Sequence, residues 1–353
     1  MKEKTTLKII LTSAKINSPS YIQHKQSLNN INLESYNGDV TLDISNDPQS
    51  VHYDTYDVAL FMGYDEASKI AKKQKVNILT GIIDPRPSFK NNFKFTDFII
   101  SNGLESRDYF NQFIEHIFIY YTCHLVKPIE KLSFENKKKI ILGYHGNKIH
   151  LDAMFPRVTD AINALANEYD VELWAMYNIK NLGYWKLPEK KNFLFNVKHI
   201  QYSQENYFNY IAHTDIGLIP QFIPLKNNNL LNYMIGSLDK KYNESLSDYF
   251  FRFKVTTNIG RHLVFAQYGI PIISDMSPSA CNFINDGVDG YLAHHSKSWY
   301  GCLKSLIKNK KFREKMGKML REKFDSYASP EVQNKNLIDF LLNLKKNNRK
   351  LES

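Results

Sequence analysis

Residues Lys254–Asp275 read KVTTNIGRHLVFAQYGIPIISD, and the fold turns on how this stretch is understood. It opens polar and basic, passes into an apolar run of helix length, turns at Gly269 and closes in the short apolar segment IPIIS. A helix delivered through a glycine turn into a buried strand is the punctuation of a parallel α/β sheet. The entrance to that helix is unusual. Thr257 or Asn258 can cap it, which leaves Arg261 in the first turn, where the helix dipole favours acids rather than bases. Lys254 approaches the same place from the preceding loop. Two readings stand side by side: ordinary strand–helix–strand punctuation with solvated cations, or a seat for an anion.

Working outward, strand-length apolar runs alternate with helical patterns almost throughout. LKIILTS, DVALFMG, VNILTGIID and TDFIISN are separated by helix-like DEASKIAKKQK and followed by LESRDYFNQFI. A second series runs KIILGYHG, a helix from about Asp152 to Tyr169, DVELWAM, VKHIQYS, the helix QENYFNYIAH and DIGLIP, before reaching Lys254. Continuous Ile, Val, Leu and Phe in the strands predicts parallel sheets covered on both faces. The expected fold is α/β, with two doubly wound Rossmann-like domains facing a central cleft. The expected boundaries are residues 1–125 for the first domain, a polar linker at 126–138, the second domain at 139–328, and at 329–353 a helix returning to the first domain with a basic tail. Between DIGLIP and Lys254 an insertion of over thirty residues carries LLNYMI and YFFRF, too apolar to stay solvated, which suggests a flap.

With 353 residues, 43% hydrophobic and 13% aromatic, the chain has enough apolar surface for two cores. Cys123, Cys281 and Cys302 lie far apart with no C-x-x-C pair, which predicts a reducing, cytoplasmic setting with neither disulfide frame nor zinc site. The run LKIIL near the N-terminus is too short for a signal or a membrane span. The net charge is +10, with much of the excess in KNKKFREKMGKMLREKF and LKKNNRK. There Phe312, Met316, Met319, Leu320 and Phe324 share one helical face and the lysines coat the other. A solvated face and an anionic membrane leaflet both fit that coat, each basic residue near a leaflet contributing about 1 kcal/mol. No zinc finger, RNP motif or other nucleic-acid module accompanies the charge, so nucleic acid is not an expected partner.

In ILGYHGNKIH (Ile141–His150), a strand runs into Gly143 and Gly146, giving a tight turn whose backbone can approach a ligand, with Lys148 beside it. From about Lys139 to Tyr327 the ordered set ILGYHGN, DIGLIP, KVTTNIGRHLVFAQYGIPIISD and FINDGVDGYLAHHSKSWYGCLKSLIKNKKFREKMG resembles the donor-binding domain of GT-B glycosyltransferases. The resemblance is to the family 4 type, called glycosyl transferases group 1. It implies a nucleotide-sugar donor held by Gly143, His145, Gly146, Asn147, Lys148, Pro220, Thr257 and Asn258, with Lys254 and Arg261 on the diphosphate. It also implies a glycan or lipid-linked acceptor on the N-terminal half, and a terminal helix that packs there through Leu337, Phe340, Leu341 and Leu344. One departure stands out: the family's two glutamates, eight positions apart, are replaced by Thr256 and Val264, and the second of them usually holds the donor ribose.

Sugar transfer from a nucleotide carrier passes through an oxocarbenium-like state while a diphosphate leaves, so fixed positive charge at the leaving group lowers the barrier. The sequence contains no D-x-D, in keeping with transfer that needs no metal and no cofactor beyond the co-substrate. On the acceptor side, IIDPRP puts Asp84 at the carboxyl end of a strand and Arg86 just beyond, and Ser101 and Asn102 end the next strand. Asp84 would orient or deprotonate an acceptor hydroxyl, or merely cap the turn at Pro85. The expected activity is hexosyl-type transfer in bacterial surface polysaccharide synthesis, at the inner face of the plasma membrane. A nucleotide-sugar 2-epimerase of related fold and a catalytically silent donor-binding scaffold remain the alternatives.

Overall fold

The computed structural model describes residues 6–63, 67–122, 139–187, 192–205, 207–223 and 254–352. The expected linker, the apolar pieces of the insertion and Cys123 lie outside them. Two compact units divide the chain: Met1–Leu125 with Tyr327–Ser353, and Val126–Ser326.

In the N-terminal unit, β1 (Leu7–Thr12), β2 (Val40–Ser45), β3 (Val58–Met62), β4 (Leu79–Ile83), β5 (Phe98–Ser101) and β6 (His116–Ile119) form one sheet in the order β2-β1-β3-β4-β5-β6. Every pairing is parallel. Alternation along β1 sends Leu7, Ile9 and Leu11 to one face, with Leu337, Ile338, Leu341 and Leu344 of the terminal helix. Ile10 points the other way, into a cluster with Tyr53, Phe61 and Ala71. The helices are α1 (Pro19–Asn29), α2 (Ser68–Gln74) and α3 (Leu104–Phe110). Two strands, β2 and β6, are additional to those expected from the sequence. Both are edge strands: β2 mixes exposed Thr41 and Asp43 into its pattern, and β6 is only four residues long.

The second unit repeats the plan with β7 (Ile140–His145), α4 (Lys148–Asp152), α5 (Arg157–Ala166), β8 (Val171–Tyr177), α6 (Ile179–Leu182), β9 (Asn196–Gln201), α7 (Tyr207–Ala212) and β10 (Ile216–Ile219). After Lys254 follow α8 (Gly260–Gln267), β11 (Ile272–Asp275), α9 (Pro278–Phe283), β12 (Tyr291–Ala293), α10 (Ser296–Lys308) and α11 (Lys310–Lys323). The sheet order is β12-β11-β10-β7-β8-β9, again all parallel. Its core joins Leu142, Leu173, Leu218 and Ile273 of the sheet to Val158, Ile162 and Leu165 of α5 and to Trp299, Leu303 and Leu306 of α10. One expectation fails in detail. The helix expected from about Asp152 to Tyr169 runs only over α5, Arg157–Ala166, and is separate from α4, because Pro156 lacks an N–H to continue the ladder and disfavours helical geometry at Phe155. The last helix, α12 (Pro330–Glu352), belongs to the N-terminal unit. Among the described residues, no helix is long and apolar enough to cross a membrane.

Candidate active site

In the second unit the carboxyl ends of β7, β10 and β11 and the amino end of α8 carry most of the residues singled out from the sequence. The turn after β7 is bare at Gly146, whose φ of 142° is a conformation L side chains rarely adopt. A Cβ there would stand 3.0 Å from Arg261 Cδ and 3.1 Å from the Tyr144 hydroxyl, so the turn lies directly against the arginine. Asn147 caps α4 by accepting from the Ile149 amide at 3.1 Å. His145 is buried between Arg261, whose carbonyl is 3.4 Å from Nε2, and the Phe265 ring. Gly143 sits two residues before His145 within β7, where a Cβ would stand 2.7 Å from Thr214 Cγ2. Pro220 follows β10 and is buried.

The loop into α8 is tied by its own side chains. The Lys254 amide donates to Thr257 Oγ1 at 3.1 Å, and the Thr257 amide returns to the Lys254 carbonyl at 2.9 Å. Neither Thr257 nor Asn258 is the N-cap of α8, which is Ile259; Asn258, two residues ahead of the first helical residue, accepts from Gly260 N through Oδ1 at 2.9 Å, while its carbonyl accepts from Gln221 Nε2 at 3.0 Å. Gln221 in turn accepts from the Ser277 hydroxyl. Beneath this lies Asp275, fully buried, which accepts from the amides of Gln221 and Phe222 and pairs with Arg157 through both oxygens at 2.5 and 3.0 Å. A buried carboxylate so fully paired fixes Gln221 and Phe222 just after β10.

Arg157 is thereby neutralised, and Lys148 pairs with Asp152 on its own helix at 3.0 Å. Arg261 and Lys254 are different. Among the described residues neither has a carboxylate within ion-pairing distance, and Arg261 Nη1 is buried without a hydrogen-bond partner. The guanidinium carbon lies 5.9 Å from the centre of the Tyr144 ring. Burial lowers the pKa of Arg261. Burial and then the charge of Arg261 lower that of Lys254. His150, which bonds the Phe222 carbonyl through Nδ1 at 2.8 Å, is held well below its usual value by burial, then by Arg261 and Lys254. Three nitrogen side chains thus crowd one place, and the carboxylate that acts on Arg261, Asp275, is already engaged by Arg157. Such a cluster gains most from a ligand that brings negative charge. His150 and Tyr144 went unread as site residues because each looks like core within its segment; only the (i, i+4) spacing of Asp152 and Lys148 hinted that Lys148 was already engaged.

Thr256 and Val264 stand where the resemblance expects glutamates. The Thr256 carbonyl accepts from Asn258, and Val264 is buried in α8.

In the N-terminal unit Asp84 has a φ of 51°, and its carboxylate accepts from Ser20 Oγ at 2.6 Å, Arg86 Nη2 at 2.5 Å and Asn102 Nδ2 at 3.1 Å. Gly63 permits this corner, since a Cβ there would stand 2.1 Å from the Asp84 carbonyl oxygen. Ser101 is not part of the group; its hydroxyl donates to the Gly103 carbonyl at 2.9 Å inside the next turn. Ser20 was not foreseen, being far away in sequence on α1.

No protein-family model matches the chain, and neither does any curated protein. Solved structures do. A UDP complex of HepE from Anabaena aligns at a TM-score of 0.58 and 11% identity, covering 95% of this chain and 99% of that one. A glycosyltransferase from Rickettsia africae aligns at 0.59 and 11%, covering 97% and 99%. S. aureus TarM, a variant in complex with fondaparinux, alpha-GlcNAc-glycerol and UDP, aligns at 0.56 and 14% over 80% of this chain; the match spans 55% of TarM's own length. The fold is that of the GT-B glycosyltransferases, with two Rossmann-like α/β units.

Proposed function

We propose that the chain is a GT-B glycosyltransferase of the family 4 type, which moves a sugar from a nucleotide-activated donor to a glycan or lipid-linked acceptor. The observation that carries this is the unpartnered, buried Nη1 of Arg261 beside the bare turn at Gly146, with Lys254 next to it. A diphosphate supplies the missing acceptors and the missing charge, so the site needs no metal to bind it. As the glycosidic bond to the carrier breaks, charge grows on the leaving phosphate, and cations already desolvated around it stabilise that charge without reorganisation. Asn258 and the Gly146 turn set the phosphates' position, and Asp84, on the N-terminal unit, holds the acceptor hydroxyl. UDP in the HepE and TarM structures makes a uridine-based donor the first to try. Bacterial surface polysaccharide synthesis, at the cytoplasmic face of the membrane, fits the exposed Lys311, Lys315 and Lys318 of α11.

A charge-assisted hydrogen bond is worth about 1.5–3 kcal/mol, so Lys254→Ala and Arg261→Ala each cost roughly ten- to hundredfold in transfer rate at saturating donor. Turnover close to wild type in both variants removes the assignment. Val264, apolar and buried, favours one competing reading, a donor-binding scaffold without transfer. Nucleotide binding together with no product from any acceptor tried would select it.

A further inference from the structure

Behind Asp84 a line of polar groups leads to a buried imidazole. Asn102 Nδ2 donates to Asp84 Oδ1, and since a carboxylate repels an amide oxygen, Asp84 fixes which way the Asn102 amide faces. That turns Asn102 Oδ1 towards His24 Nε2, at 3.3 Å. The other ring nitrogen, Nδ1, meets the Ser20 carbonyl at 2.8 Å. Both nitrogens therefore face acceptors, and a neutral imidazole has one proton to give. The shorter contact takes it, which leaves a lone pair of Nε2 against an oxygen. Only the imidazolium satisfies both neighbours.

Opposing this, His24 is 1% exposed, and burial lowers its pKa, while Asp84 foremost, then the contacts to Ser20 and Asn102, pull it back up. Arg86 lowers it slightly. Asp84 and Arg86 are the charged groups acting on it. Tyr120 stacks on the ring from the end of β6 as a neutral phenol, its hydroxyl donating to Asn334 of α12, which itself donates to the Ser27 carbonyl.

We propose that His24 is a proton-linked positioning residue for Asp84. When Nε2 takes a proton from solvent it donates to Asn102 Oδ1, which tightens the bond that Asn102 Nδ2 already makes to Asp84 Oδ1 and draws the carboxylate away from an acceptor hydroxyl. No other bond is made or broken. The neutral imidazole is the working form, and its protonation sets the acid limit of transfer. The assignment rests on Asp84 serving the acceptor in the proposed reaction.

Two measurements on the full chain test it. The first follows the His24 ring by NMR against pH, in the wild type and in Asp84→Asn. Coupling predicts a lower titration midpoint in the variant, because the carboxylate that favours the cation is gone; an unmoved midpoint overturns the proposal. The second records kcat/KM against pH for sugar transfer. In His24→Gln the acid limb is expected to move to lower pH while activity at neutral pH survives, and a limb that stays in place overturns the proposal. If no donor supports transfer at all but the NMR midpoint shifts, the coupling stands and the glycosyltransferase reading is what fails.

Discussion

Arg261 sits in the first turn of α8, where the helix end is itself positive, and His262 beside it is fully buried. His262 Nε2 lies 2.9 Å from Ser274 Oγ, and burial, followed by the Arg261 charge, pushes the ring's pKa down to about 3. The folded value lies below the unfolded one, so unfolding takes up a proton that the native site refuses. Stability is then complete above about pH 6.5 and falls as the pH drops below it, by up to about 1.4 kcal/mol per pH unit for each such histidine. His24 and His150 are lowered in the same sense and add to the slope. Melting temperature measured between pH 7 and pH 5.5 should decline, and His262→Gln should flatten the decline; a flat wild-type profile would show that these rings are hydrated. At this scale the sequence was informative where a residue broke a local rule. A lysine and an arginine at a helix mouth violate the dipole preference and were readable. His150 breaks no rule within its segment and acquires its meaning only from Lys254 and Arg261, more than a hundred residues away.

At the scale of elements, the turn after β7 and the loop after β10 shape the site. Gly146→Ala would set a Cβ against Arg261 and force a φ that side chains avoid, costing about 1–3 kcal/mol and displacing the guanidinium. A lower melting point together with weakened nucleoside diphosphate binding is the expected result. Arg157→Met should be more damaging, because it strands the buried Asp275 charge, and a loss of about 3–5 kcal/mol in urea unfolding is predicted. Strands read well in the sequence where they are central and continuous, as with VALFM in β3, buried at every position. They read poorly at sheet edges, where one side meets water and the pattern dilutes, as in β2. The break between α4 and α5 was marked by Pro156 and overlooked because apolar spacing resumes on its far side.

For the whole molecule, α12 is the element that takes the chain back to its beginning. Leu337, Ile338 and Leu341 are almost wholly buried in the N-terminal core, and Lys345 pairs with Asp57 at 2.7 Å while donating to the Thr6 carbonyl. Leu341→Ala should cost about 2–5 kcal/mol, read as a lower urea midpoint. The sequence NLIDFLLNL announced an amphipathic helix, and its destination came from family likeness, since periodicity names a buried face but not what covers it.

The proposed pyrophosphate seat is tested most directly by a thermal-shift panel of UDP, GDP, ADP and CMP on the wild type, Lys254→Ala and Arg261→Ala. One nucleoside diphosphate, at about a hundred times its dissociation constant, should stabilise the wild type by about 2.7 kcal/mol and lose most of that effect in both variants. No shift with any of them, or an undiminished shift in both variants, would contradict the account.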